Sequence, residues 1–167
     1  MTVEGKTVLP FRRQTLGLIV SIVVCLGVAG LGGLVTDPRV SDWYGQLAKP
    51  QWTPPDWLFG PVWTVLYICM AVSVWLIWRQ GGSATAKVPM ALFVAQLVLN
   101  SLWSILFFGF QQPGIAAIEI VLMWAAILAT IVAFWNRSTA ASLLLVPYLS
   151  WVTFAVLLNW TIWQMNP

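Results

Sequence analysis

The sequence contains no histidine. That absence removes the commonest general base, the commonest metal ligand and the usual proximal haem ligand. Charge is scarce as well. Only 8% of the 167 residues are Asp, Glu, Lys or Arg, against about 25% in soluble domains. A chain so poor in charge has too little polar surface to cover itself in water, so lipid is the expected solvent. There are two cysteines, Cys25 and Cys69, both in apolar runs. They read as buried free thiols, which argues against a disulfide framework or a zinc site. The net charge of +3 is small and scattered, and no nucleic-acid partner is expected. Gly-rich phosphate loops, metal-ligand clusters and nucleophile–histidine pairs are missing too. No metal and no obligatory cofactor are expected.

What remains is apolar and aromatic: 60% hydrophobic residues, with twelve tryptophans. Spanning hydrocarbon takes about 20 apolar residues in a helix. Such stretches fall at 14–35, 58–78, 88–108, 114–135 and 140–163. The expected fold is therefore all-α, an integral membrane five-transmembrane-helix bundle forming one domain over 1–167. A cleaved signal peptide would have an apolar region of only about 7–15 residues, so the first stretch reads as a retained helix. Within it Gly17, Ser21, Cys25, Ala29 and Gly33 recur every fourth residue. Small side chains on one ridge suit a close helix–helix seam, within the bundle or between protomers. Pro147 should kink the fifth helix or loosen its backbone bonding, which a bundle can tolerate.

Residues 36–57 form a long connection, rich in tryptophan and proline, and long ordered loops are usually functional. Its prolines favour a stiff, extended segment. Asp56 is placed to cap the helix that follows. With five helices, Lys6, Arg12, Arg13, Arg79, Lys87 and Arg137 share the N-terminal side, and only Arg39 and Lys49 lie opposite. The positive-inside rule puts the N-terminus in the cytoplasm of a bacterial inner membrane. A mitochondrial outer membrane is the alternative location, where that direction would not transfer.

Three helical faces mix flat aromatic surface with hydrogen-bonding groups. They are Trp63 and Tyr67; Gln96, Asn100, Trp103 and Phe107; and Trp151, Ala155 and Asn159. Polar groups in hydrocarbon need partners and face the bundle interior. Together these faces enclose an apolar cavity suited to a flat lipophilic ligand. Asn100 and Asn159 would serve either that ligand or neighbouring helices. Trp78, Trp135, Trp160 and Trp163 lie near helix ends and read as interfacial belt residues, with Trp43 and Trp57 as further belt candidates. Glu119 lies near a helix N-terminus, where the dipole and headgroup water accommodate a carboxylate.

Four ordered blocks between about 43 and 160 then resemble one family. They are Trp43-Tyr44…Leu47-x-Lys49-Pro50-x-Trp52-x-Pro54-Pro55; Phe59-Gly60-Pro61-Val62-Trp63-Thr64-x-Leu66-Tyr67-x-x-Met70; Gln96-Leu97-x-Leu99-Asn100-x-Leu102-Trp103-Ser104 with Phe107-Phe108-Gly109; and Pro147-Tyr148-Leu149-x-Trp151-x-x-Phe154-Ala155-x-x-Leu158-Asn159. The sequence resembles the tryptophan-rich sensory / translocator protein family (TspO/MBR, or peripheral benzodiazepine receptor family), in a bacterial-type form. The resemblance implies a five-helix bundle, usually a homodimer. It implies binding of tetrapyrroles such as protoporphyrin IX and haem, with regulation of tetrapyrrole flux or stress responses. The pocket it implies contains Tyr44, Trp52, Trp63, Tyr67, Asn100, Trp103, Trp151 and Ala155. Trp63 and Trp151 would contact the ring, and Tyr44 and Trp52 would close over it.

Two alternatives follow from the same resemblance. One is light- and oxygen-dependent porphyrin degradation, with Trp63 and Trp151 beside the reacting ring. The other is sterol or lipid carriage. The sterol pattern of animal members is incomplete here: Trp160 stands at the tyrosine place, Gln164 follows, and no basic residue comes after Arg137. A structural or partner-binding membrane protein is a third reading, in which loop residues such as Trp52 would tolerate change.

Overall fold

Hydrocarbon offers a peptide group no hydrogen-bond partner, so each long apolar stretch closes its bonds on itself as a helix. The computed structural model describes residues 10–81 and 86–167, and for 37–41 only the backbone. Glu4, Lys6 and the centre of the turn expected at 80–87 lie outside the described residues. The helices are α1 (Phe11–Arg39), α2 (Asp56–Trp78), α3 (Lys87–Ser104), α4 (Pro113–Trp135), α5 (Thr139–Leu143) and α6 (Val146–Met165). π-helical turns at Val40–Tyr44 and Ile105–Gly109 extend α1 and α3. Five segments are long and apolar enough to span a membrane, the last being α5 and α6 taken together. The protein is thus a multi-pass integral membrane protein with the expected five spans.

The helices close into a ring. α1 packs on α2 and on α3, α3 on α4, α4 on both α5 and α6, and α2 on α5. Within the ring lies a core of Met70, Ala71, Ile77, Ile127, Phe134, Tyr148 and Val152, all essentially inaccessible. The small-residue ridge of α1 is an internal seam over most of its length. Cys25 is buried, and Gly17 faces Trp78 so closely that an added Cβ would lie 2.3 Å from its ring. Trp75 Nε1 donates to the Gln14 carbonyl at 2.8 Å beside this contact. Gly33 breaks the pattern, because an added Cβ there meets no atom within 4 Å.

Three expectations need correction, and the one for Pro147 takes its looser form. The first helix does not stop at residue 35. It continues through Arg39 and the π turn to Tyr44, so much of the expected loop 36–57 is helical. Once past the apolar stretch, headgroup water can satisfy a polar helix end as well as a loop. Pro147 does loosen the backbone bonding of the fifth span, to the point of an interruption. The chain breaks between Leu143 and Val146, and Pro147 sits in the first turn of α6, where its missing N–H costs nothing. Asp56 makes no capping hydrogen bond. Pro55 holds the cap position, and Asp56 is the first helical residue. Glu119 is not in headgroup water. It is 5% exposed on the inner face of α4, beside Ala116 and Ile120, and its carboxylate oxygens have no hydrogen-bond partner among the described residues.

The seam makes a test. Gly17→Leu drives a side chain into the Trp78 ring and should cost about 1–3 kcal/mol, read as a lower thermal midpoint in detergent. Gly27→Leu, at a site where an added Cβ meets nothing within 4 Å, should leave the midpoint unchanged. Equal midpoints for the two variants would refute the seam.

Candidate functional site

Bulky rings keep α2 and α6 apart at one end of the bundle. Phe59 meets Trp151 edge-on at 5.7 Å between centroids, and Trp63 meets Tyr148 at 6.1 Å. At the other end, Ser73 Oγ donates to the Ala141 carbonyl at 2.6 Å and holds α2 against α5. The wedge between encloses a cavity of about 710 Å³. Trp63 and Tyr67 of α2, Trp103 of α3 and Trp151 of α6 supply its aromatic walls. Sites for drug-sized ligands run to about 300–1,000 Å³ and are mostly apolar with a few polar groups, and this cavity fits that description.

The amides near the cavity are largely spent on other side chains. The Tyr67 hydroxyl donates to Asn100 Oδ1 at 2.5 Å, and Asn100 Nδ2 donates to the Tyr148 hydroxyl at 3.0 Å. One amide thereby ties α2, α3 and α6 together. Asn159 likewise ties α6 to α3 and to the start of α4. Its Oδ1 accepts from Trp103 Nε1 at 2.9 Å, and its Nδ2 donates to the Pro113 carbonyl at 2.8 Å. Trp103, fixed by that bond, stacks on Phe107 at 5.2 Å and 24°. The indole N–H groups of Trp63 and Trp151 are different. Neither is hydrogen-bonded among the described residues, so two donors remain on rings that wall the cavity.

Of the pocket residues expected from the sequence, Tyr44, Trp63, Tyr67, Asn100, Trp103, Trp151 and Ala155 all line this cavity. Trp52 lies outside the lining. It is half-exposed and packs edge-on against Phe154, which in turn leans on Trp151. Besides Ser104, Phe108, Leu158 and Ile162, two groups of lining residues are not marked by the sequence pattern. One is the stretch of α1 from Leu26 to Thr36, and the other is Asp56 with Phe59 at the start of α2. Trp57, read as a belt candidate, lines the mouth while 72% exposed. The signal for α1 was present in its glycines, but it read as a seam.

Tyr44 closes one end of the cavity. It is buried against Phe107 and Phe108, with centroids at 6.1 and 5.8 Å. Lys49 arches back over it, with Nζ 4.2 Å above the ring and donating to the Tyr44 carbonyl at 3.1 Å. Burial pushes the Tyr44 hydroxyl up to about 12, and the negative charge of Asp56 adds to the rise. The rest of the loop is fastened to α6. Ala48 N–H donates to Asn166 Oδ1 and Asn166 Nδ2 donates to the Ala48 carbonyl, each at 3.0 Å.

Two outcomes follow. Asn100→Leu leaves two buried phenols without a partner and should destabilise the protein by about 1–3 kcal/mol in thermal unfolding. Adding Tyr67→Phe to that variant should recover part of the loss. The raised Tyr44 value means the folded chain keeps this proton while the unfolded chain, near 10, loses it. Stability from Tyr44 is therefore complete below pH 10 and falls as pH rises towards 12. Tyr44→Phe should flatten that part of the stability–pH curve, and an unaltered slope would contradict the burial.

Comparison with known proteins gives the family. The sequence profile of the TspO/MBR family matches residues 20–164. The chain is 46% identical over 157 residues to the tryptophan-rich protein TspO of Chlorobaculum tepidum, covering 93% of this chain and 99% of that one. It is 43% identical over 126 residues to the human translocator protein, covering 74% and 75% of the two chains. The tryptophan-rich sensory protein of Cereibacter sphaeroides is 35% identical over 149 residues, covering 89% and 91%. The profile spans every described helix except the first turns of α1, and the chain belongs to the TspO/MBR family.

Proposed function

We propose that this protein binds tetrapyrroles, protoporphyrin IX or haem, in the aromatic cavity and so regulates their flux or a stress response to them. The observation that carries the reading is the pair Trp63 and Trp151, on α2 and α6, walling one cavity of about 710 Å³. A flat conjugated ring gains stacking area and an N–H contact from each indole. The cavity's other polar side chains are mostly engaged elsewhere, which suits a ligand recognised mainly by its apolar faces. The names of the relatives, sensory protein and translocator protein, support a role in sensing or moving a ligand. The ligand is cargo or signal in this reading, and no resident cofactor is invoked. A bacterial envelope with a cytoplasmic N-terminus is the proposed setting, with a second copy of the chain as partner.

Protoporphyrin IX should bind with micromolar affinity, about −8 kcal/mol, and quench tryptophan emission. Trp63→Ala and Trp151→Ala should each weaken binding by about tenfold or more, as losses of 1.4 kcal/mol or greater. Unchanged affinity and quenching in both variants would refute the site. The same samples under illumination, against dark controls, separate binding from degradation. Bleaching that requires Trp63 and Trp151 would establish an enzymatic activity.

A further inference from the structure

The path of α1 across the bundle determines how the cavity is reached. Near Gln14, α1 lies against α2 through the Gly17–Trp78 and Gln14–Trp75 contacts. Near Thr36 it lies against the end of α3 instead. An added Cβ at Gly32 would lie 3.7 Å from Ser104 Oγ, and one at Gly109 would lie 3.4 Å from Val35. A helix that starts on one neighbour and ends on another diverges from the first. The gap it leaves is visible in the glycines. An added Cβ at Gly30 or Gly33 on α1, or at Gly60 on α2, meets no atom within 4 Å. All three nevertheless line the cavity, together with Leu26 and Thr64. Leu26 is 37% exposed, and Thr64 and Gly60 are exposed as well.

The gap falls within stretches long and apolar enough to span a membrane: Leu26, Gly30 and Gly33 belong to Phe11–Thr36, and Gly60 and Thr64 to Asp56–Trp78. The loop end of the cavity is fastened by contrast. Asn166 clamps Ala48, Trp52 packs on Phe154, and Lys49 holds Tyr44.

We infer that the cavity is reached sideways from the bilayer, through a portal between α1 and α2 edged by Leu26, Gly30, Gly33, Gly60 and Thr64, and that its occupants are lipid-dissolved molecules. The identity of the occupant rests on the tetrapyrrole reading, whereas the portal does not. The glycines serve the portal because any larger side chain narrows it. A molecule dissolved in the hydrocarbon meets the opening by diffusion in two dimensions, and the loop need not open.

The test uses the full chain in phosphatidylcholine nanodiscs, with protoporphyrin IX supplied from loaded phosphatidylcholine vesicles. Gly30→Leu combined with Gly33→Leu should slow association and dissociation together by about tenfold, measured by tryptophan quenching in stopped flow. Asn166→Ala, which releases the loop, should leave both rates within about twofold. The reverse pattern, fast exchange in the glycine variant and altered exchange in Asn166→Ala, would overturn the portal. A second measurement needs no porphyrin. In nanodiscs of phosphatidylcholine brominated along its acyl chains, the wild type should lose a larger fraction of its emission than Trp63→Phe, because bromine reaches the cavity wall. The two leucines should abolish that difference. No difference in the wild type would overturn the portal. A clear difference with no porphyrin binding would keep the portal and remove the proposed ligand.

Discussion

Asn100 is the residue on which the cavity depends. In lipid a polar side chain without a partner is costly, and helices gain no hydrophobic force from meeting one another. Three helices therefore meet where their polar atoms can pair. Tyr67, Asn100 and Tyr148 form one such junction, and Trp103, Asn159 and the carbonyl of Pro113 form another. Each junction consumes polarity that would otherwise face a ligand. Each also fixes an aromatic ring, Tyr67 in one case and Trp103 in the other. The interior is rigid at these junctions and empty between them, which is how a well-packed bundle keeps a cavity open.

The unpaired groups are informative in the same terms. Gln96 and Glu119 are buried, and their side-chain polar atoms have no partner among the described residues. They lie on α3 and α4, behind the cavity walls rather than among the lining. The interior therefore holds more polarity than its hydrogen-bonded junctions use.

Much of this was legible in the residues. Apolar length alone marked the five spans, because the hydrocarbon thickness sets a minimum that no soluble pattern imitates. Helical spacings of three and four place Trp63 with Tyr67, Asn100 with Trp103 and Trp151 with Ala155, and the cavity collects all six. What was not legible depends on crossing angles. A stripe of small residues reads the same whether a neighbour touches it or leaves it. Gly17 and Gly33 share one ridge, yet one meets a tryptophan ring and the other meets open space. Trp52 shows a similar limit. Its position in the loop suggested a cover for the ligand, but the helical extension of α1 to Tyr44 shortened the loop and carried the ring onto Phe154. Glu119 shows that distance from a helix end does not fix exposure: it stands in the second turn of α4 yet is buried.

The break between α5 and α6 bears on how the chain is assembled. Ser73 of α2 donates to the Ala141 carbonyl in α5, and Ser142 donates to the Ile131 carbonyl in α4, both at 2.6 Å. The interrupted helix is thus stitched to two helices that lie earlier in the chain. A ribosome delivers α2 and α4 to the membrane before it delivers the break, so the partners are waiting when the last segment arrives. The first piece of the final span, α5, is thus seated by hydroxyl bonds to two helices that precede it in the chain.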